Sequence, residues 1–202
     1  MLAAGSESTF TTLEWGMTEL VRNPEVLKKL QEEVRGIVNR DSMINEEDLS
    51  KMSYLKAVIK EILRLHPPAP LLVPRESMQA CQIQGYEIPV HARVIVNAWA
   101  LGRDPDSWEA PEEFRPERFL GSNIDFKGHD FQFIPFGAGR RFCPGMQFAV
   151  SNLELAIANL VHLFDWELPE GMQIEDLDMT EAAGLTSRRK QNLCLVAKPG
   201  SL

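Results

Sequence analysis

Apolar positions at Leu13, Met17 and Leu20 or Val21 recur every three to four residues through Thr9–Val21, the period of a helix with one buried stripe. No N-cap precedes this stretch, so the chain is expected to open inside a helix. Asn23-Pro24-Glu25 then reads as a helix start: an N-cap, a proline at the first helical position and an acid in the first turn. Val26, Leu27, Leu30, Val34 and Ile37 trace one face of that helix. Asn45, followed by Glu46, Glu47 and Asp48, opens a short helix. Ser53 to His66 is a further helix closed by Pro67-Pro68, with Leu55, Val58, Ile59, Ile62, Leu63 and Leu65 filling one arc. Glu61 falls roughly 40° beyond the edge of that arc and Arg64 shares its flank. Met146 to Phe164 carries Phe148, Ala149, Leu153, Ile157, Leu160, Val161 and Phe164, a helix with a broad apolar face.

Between the helices the period changes. Ala69 to Arg75 is too proline-rich to be helical. Cys81 to Ile88, turning at Gly85, and Ala92 to Asn97 read as short strands. Asp104-Pro105 restarts a helix, and Trp108 to Phe119 is a proline-punctuated loop. The tail reads as a hairpin, with Ala183-Gly184-Leu185-Thr186 at its tip and Leu193-Cys194-Leu195-Val196 returning. The expected class is mainly α with small β-sheets.

Composition narrows the function. The 202 residues are 44% hydrophobic and 25% charged, ordinary for a globular chain. A formal net charge of −8 argues against nucleic-acid binding, and the longest basic run, Arg188-Arg189-Lys190, reads as a solvated face. Three cysteines without paired spacing give no disulfide framework and suit a reducing compartment. No apolar run of about eighteen residues exists, and Met1 to Glu7 lacks the basic start and apolar core of a signal peptide.

The candidate chemistry lies in Phe131 to Gly145, Phe-Gln-Phe-Ile-Pro-Phe-Gly-Ala-Gly-Arg-Arg-Phe-Cys-Pro-Gly. Cys143 follows a glycine-rich turn (Gly137, Gly139) and directly precedes a helix, where backbone N–H groups and the helix dipole favour a thiolate. On its own it could equally be one more buried cysteine. A phosphate loop would need glycine at Phe142, and a zinc site would need a second ligand at short spacing; the sequence supplies neither.

Phe136, Gly139, Arg141, Cys143 and Gly145, spaced Phe-x-x-Gly-x-Arg-x-Cys-x-Gly, resemble the haem-binding loop of the cytochrome P-450 superfamily of haem-thiolate monooxygenases. The flanking Pro135-Phe136-Gly137 and Arg140-Arg141 are similar to the plant A-type microsomal members. The resemblance implies that Cys143 is the axial thiolate of haem b iron, which favours O–O cleavage, and that Arg141 meets a haem propionate. Arg75 is implied at a propionate too, while Leu71, Leu72, Val73 and Leu185 border substrate. Ala4-Gly5-Ser6-Glu7-Ser8-Thr9 resembles the oxygen-binding segment (Ala/Gly)-Gly-x-(Asp/Glu)-Thr: Ala4 and Gly5 leave room for dioxygen, and Glu7 and Ser8 deliver protons. Serine stands at Ser8 where the family usually has threonine, keeping the hydroxyl and losing the methyl that fixes its rotamer.

Glu61-x-x-Arg64 taken alone is a surface pair worth a few tenths of a kcal/mol. It also resembles the family's Glu-x-x-Arg element, whose partner is the arginine of Pro-x-Arg-Phe, here Pro116-Glu117-Arg118-Phe119. The resemblance implies a buried structural network of Glu61, Arg64 and Arg118. It runs the length of the chain and corresponds to the C-terminal, haem-proximal part of a family member, with residues 1–202 as a single partial domain. The implied reaction is insertion of one oxygen atom from O₂ into a small organic substrate, with electrons from NADPH through a cytochrome P-450 reductase. Two readings stay open beside it: a truncated, inactive haem-binding product, and a haem-thiolate isomerase or dehydratase. The family implies the endoplasmic reticulum membrane; with no anchor in the sequence, the chain itself is expected in the cytoplasm.

Overall fold

A computed structural model describes residues 2–39 and 42–200. Four long helices make the core: α1 (Leu2–Arg22), α2 (Pro24–Ile37), α4 (Ser53–Leu65) and α6 (Met146–Leu163). The short α3 (Glu46–Leu49) and α5 (Ala98–Leu101) lie between them. The stripes read from the sequence are what these helices bury: Leu20 on α1, Leu30 and Val34 on α2, Leu55, Val58, Ile59 and Ile62 on α4, and Leu153, Ile157 and Val161 on α6 are all fully enclosed. Each such side chain contributes about 1.5–3 kcal/mol relative to exposure. Gly16 sets the closest approach: a Cβ there would lie 2.8 Å from Ile62 Cδ1 and 3.6 Å from Ile157 Cδ1, so α1, α4 and α6 meet at this position.

Two helix starts differ in how they are capped. Asn45 forms a full capping box with Asp48, as the acidic first turn predicts. Asn23 holds the N-cap position of α2 without capping it, because its amide donates back to the Glu19 carbonyl at 2.8 Å and closes α1 instead.

The strands form three antiparallel pairs. β1 (Arg75–Glu76) pairs β4 (Arg93–Val94), with Arg75 opposite Val94. β2 (Cys81–Ile83) and β3 (Tyr86–Ile88) form a hairpin. Its turn residues Gln84 and Gly85 both take left-handed backbone angles (φ 50° and 84°), which matches the twist of a two-residue turn. β5 (Phe164–Glu167) pairs β6 (Val196–Pro199).

The structure corrects three readings. Asp104-Pro105 does not restart a helix; the Asp104 carbonyl accepts the Ser107 and Trp108 N–H groups in a single turn that delivers the Trp108 indole into the core. The helix lies earlier, at α5, opened by the Asn97 side chain accepting the Ala100 N–H. Of Ala92–Asn97, only Arg93 and Val94 pair as strand. The tail hairpin has its tip where expected, but the returning arm is Arg188–Lys190, joined through Ala182 N–H to Arg188 O (2.8 Å) and Lys190 N–H to Thr180 O (2.9 Å). The strand that begins at Val196 crosses instead to β5. Among the described residues no helix is long and apolar enough to cross a membrane.

Candidate active site

The cysteine loop is anchored at its entry by the buried Phe133, Ile134 and Pro135. The Gly137 N–H closes a turn on the Ile134 carbonyl (2.9 Å), and Gly137 and Gly139 take φ of 74° and 67°, angles that side chains resist. A 3₁₀ turn over Gly139–Arg141 then brings the chain back, and the Cys143 N–H donates to the Phe136 carbonyl at 3.0 Å. Cys143 is half-buried, and Gly145 stands at the N-cap of the eighteen-residue α6, so the thiol sits at the positive end of that helix. Cys81 and Cys194 are exposed and isolated.

Two cationic side chains share the rim of this loop. Arg75, entering from β1, donates from Nη2 to the Arg141 carbonyl at 3.2 Å. The Arg141 guanidinium is exposed and makes no hydrogen bond or ion pair among the described residues. Leu72 lies over the turn, its Cδ1 3.9 Å from where a Gly137 Cβ would stand, while Leu71 and Val73 are exposed. A Cβ on Gly139 would meet nothing within 4 Å. An open glycine face, a thiol at a helix N-terminus, an apolar side chain and two guanidinium groups fit a flat, iron-bearing macrocycle with two carboxylates.

Behind the loop lies the charge network. The Glu61 carboxylate takes Arg64 Nε and Nη2 at 2.8 Å each, Arg118 Nε at 3.0 Å and the Arg115 N–H at 2.8 Å. Remaining guanidinium donors go to backbone carbonyls: Arg64 to Gly102, Pro111 (2.7 Å) and Glu113 (3.1 Å), and Arg118 to Glu109 (2.7 Å) and Ala110 (3.1 Å). Glu61 and Arg64 are fully buried, so the pair is not the exposed one that Glu61-x-x-Arg64 taken alone would suggest. Burial presses the Arg118 pKa below its usual value, opposed by the Glu61 charge.

An aromatic chain joins this network to the thiol. Both guanidinium groups lie over the Trp108 ring, Arg64 at 5.3 Å and Arg118 at 5.9 Å. Trp108 contacts Phe119 and Phe133, Phe133 meets Phe126, and Phe126 stands edge-on to Phe136 at 5.5 Å, with ring contacts throughout in the tilted or edge-on range. Phe136 is the residue whose carbonyl holds Cys143. Gly128 packs on the same loop: a Cβ there would come within 3.2 Å of Ala138 Cα and Phe142 Cδ2.

At the other end of the chain, Ala4, Gly5 and Glu7 are exposed on the first turns of α1, and Ser8 is half-buried. The Ser8 hydroxyl donates to the Ala4 carbonyl at 2.7 Å. Glu7 Oε1 accepts the Thr186 hydroxyl at 2.6 Å, which brings the tail tip onto this segment and leaves Leu185 exposed beside it. No hydrogen bond joins Glu7 or Ser8 to the cysteine loop among the described residues.

Sequence reasoning missed the cluster that fastens the tail. Trp15 stacks on His66 with ring centroids 4.1 Å apart, and its indole donates to the Ser187 carbonyl at 2.7 Å. His66 Nε2 lies 2.8 Å from Glu19 Oε1. Arg189 is buried, its Nη1 2.9 Å from Thr18 Oγ1, which corrects the solvated-face reading for this residue, while Arg188 and Lys190 on either side are exposed as expected. The clue in the sequence was the run of polar Thr11, Thr12, Glu14, Thr18 and Glu19 on a helix that must be packed all round.

The Cytochrome P-450 family model matches residues 1–195. The cytochrome P-450 71AP13 of Prunus mume is 59% identical over 199 residues, covering 98% of this chain and 39% of that protein. Tabersonine 16-hydroxylase 2 of Catharanthus roseus is 54% identical over 202 residues, 100% of this chain and 40% of its own. Among solved structures, a zebrafish cytochrome P-450 with progesterone superposes with a TM-score of 0.86 at 32% identity, covering 98% of this chain and 44% of that one. The chain thus spans about two fifths of the length of these curated relatives.

Proposed function

The chain belongs to the cytochrome P-450 family, as a plant A-type member, and on that premise we propose that it supplies the thiolate side of a monooxygenase active site. The observation that carries this reading is Cys143, held by the Phe136 carbonyl at the N-terminus of α6 beside Arg75 and Arg141.

In this reading haem b, when bound, supplies activation of O₂ and transfer of one oxygen atom to a small hydrophobic substrate. The chain's residues do the rest. Cys143 would bind the iron through its sulfur at the N-terminal end of α6. Arg75 and Arg141 hold the two carboxylates, and Phe136, Gly139 and Gly145 give the loop its close, flat approach. Leu71, Leu72, Val73 and Leu185 would border the substrate, and the small Ala4 and Gly5 would leave room for dioxygen. Glu7 and Ser8 pass protons inward from water. Glu61, Arg64 and Arg118 act structurally, fixing the backbone that carries the cysteine loop. Residues 1–202 are read as one partial domain, electrons as coming from NADPH through a reductase, and the working location as the endoplasmic reticulum membrane. The hydroxylase among its relatives supports the oxygenase class.

The test is isotopic. A full-length protein, with this chain placed after the upstream segment of a relative, is supplied with reductase, NADPH, candidate hydrophobic substrates and ¹⁸O₂. One labelled oxygen atom in the product, with NADPH consumption, is expected. Product formed without NADPH or reductase would contradict the oxygenase reading and favour an isomerase or dehydratase.

A further inference from the structure

Thr186 is 179 positions from Glu7 in sequence, yet its hydroxyl donates to Glu7 Oε1 at 2.6 Å. Glu7 sits on an exposed face of α1, where a long acidic side chain otherwise samples many rotamers. Thr186 does not share that freedom. The next residue, Ser187, is buried and gripped on both sides of its peptide: its N–H donates to the Pro68 carbonyl at 3.0 Å and its carbonyl accepts the Trp15 indole at 2.7 Å. Trp15 is itself clamped, stacked at 4.1 Å on His66 on one side and within 5.4 Å of the Arg189 guanidinium on another. Arg189 is tied to Thr18 of the same helix. A rigid, buried anchor one residue away thus presents a hydroxyl to a mobile carboxylate.

We infer that Thr186 is a positioning residue for Glu7, fixing one carboxylate oxygen so that the other is held toward the oxygen-binding face of α1. This rests on the reading of Glu7 as a proton-delivering acid. In that role Glu7 takes a proton from water and returns to the carboxylate on releasing it inward; Thr186 keeps its own proton, and no electrons move. A hydroxyl donating to a charged acceptor is the stronger kind of hydrogen bond, and a β-branched residue has few rotamers in which to lose it. The tail therefore sets the geometry of a residue on the first turns of α1, besides carrying Leu185 on the same tip.

The experiment uses the full-length protein with Thr186→Val, Thr186→Ser, Glu7→Gln and the Thr186→Val/Glu7→Gln pair, and reads peroxide released per product formed. Thr186→Val is expected to raise that ratio about two- to fivefold, the factor that one exposed hydrogen bond sustains. Thr186→Ser, which keeps the hydroxyl, is expected to restore the wild-type ratio, and the double variant to match Glu7→Gln alone. Trp15→Phe, which loosens Ser187 with Thr186 intact, should raise the ratio as well and serves if Thr186→Val does not fold. A cycle of Thr186→Val, Glu7→Ala and the pair, read by thermal unfolding, reports the contact without turnover because alanine leaves no acceptor for the Thr186 hydroxyl, and the two changes are expected to be non-additive. If Glu7→Gln uncouples while Thr186→Val behaves as wild type, or if the two changes add, the positioning role is overturned and the acid role stands. If Glu7→Gln itself leaves the ratio unchanged, the acid role fails, and the positioning role falls with it.

Discussion

The Cys143 N–H donates to the Phe136 carbonyl at 3.0 Å, and Phe136 is also the last ring of the aromatic chain that begins on the Glu61 network. Through Phe136 of its own loop, the thiol's backbone is therefore linked to Phe126, Phe119, Trp108 and Glu61, which lie outside that loop in sequence.

Glu61 is the keystone of that arrangement, since four donors converge on its carboxylate. Glu61→Ala leaves two buried guanidinium groups without their counter-charge and is expected to cost about 3–5 kcal/mol. Glu61→Gln, which keeps one acceptor oxygen, should cost less. Urea unfolding of the full-length protein with haem retention measured in parallel checks this; a loss within about 0.5 kcal/mol for Glu61→Ala would show that the network does not hold the loop.

Gly128→Ala tests the packing on the loop itself. Its φ of 82° strains any side chain, and its Cβ would crowd Ala138 and Phe142. Gly85→Ala is the control, with φ of 84° and nothing within 4 Å. Both changes should carry a backbone cost of about 1–2 kcal/mol, and only Gly128→Ala should also speed haem loss. Equal haem loss rates in the two variants would contradict the assignment.

The Ser8 hydroxyl donates to the Ala4 carbonyl, so in the proposed relay its lone pairs are what accept the next proton. Ser8→Ala is expected to raise peroxide release relative to product, and Ser8→Thr to leave coupling intact or improve it. An unchanged ratio in Ser8→Ala would move the relay to Thr9, to water, or to no side chain.

Glu154 on α6 titrates above its ordinary value because burial disfavours its charge, with Lys56 opposing weakly. The folded state therefore binds this proton more tightly than the unfolded state, and stability falls as pH rises through the unfolded carboxylate pKa of about 4.3 toward the higher folded value. Glu154→Gln removes that dependence. The melting temperature of Glu154→Gln minus wild type should grow more positive between about pH 4 and pH 7; a difference that stays flat would contradict the assigned cause.

The helices were readable because their stripes are local: Leu30 and Val34, or Leu153 and Ile157, are each a turn apart and bury together. The capping box at Asn45 and the turn at Gly85 were equally local. The cysteine loop was readable as a motif, and so was the set Glu61, Arg64 and Arg118 that the structure brings together. What the sequence hid depends on distant partners. β6 has no reason in its own residues to choose Phe164–Glu167 over the tail tip. Arg189 reads as solvated until Trp15 and Thr18 are seen to cover it. The Asp104 turn failed as a helix because Trp108 gains more by entering the core, where its indole donates to the Leu101 carbonyl at 3.0 Å.

Every role proposed above depends on Cys143 as the sole protein ligand of haem iron. The direct measurement is the visible spectrum of the reduced carbon-monoxide complex, taken for the full-length protein and for Cys143→Ser, Cys81→Ser and Cys194→Ser. The strongly red-shifted Soret band of thiolate ligation is expected in the parent, in Cys81→Ser and in Cys194→Ser, and its loss in Cys143→Ser alone. Retention of that band in Cys143→Ser, with its loss in either of the other two, would contradict the assignment of Cys143.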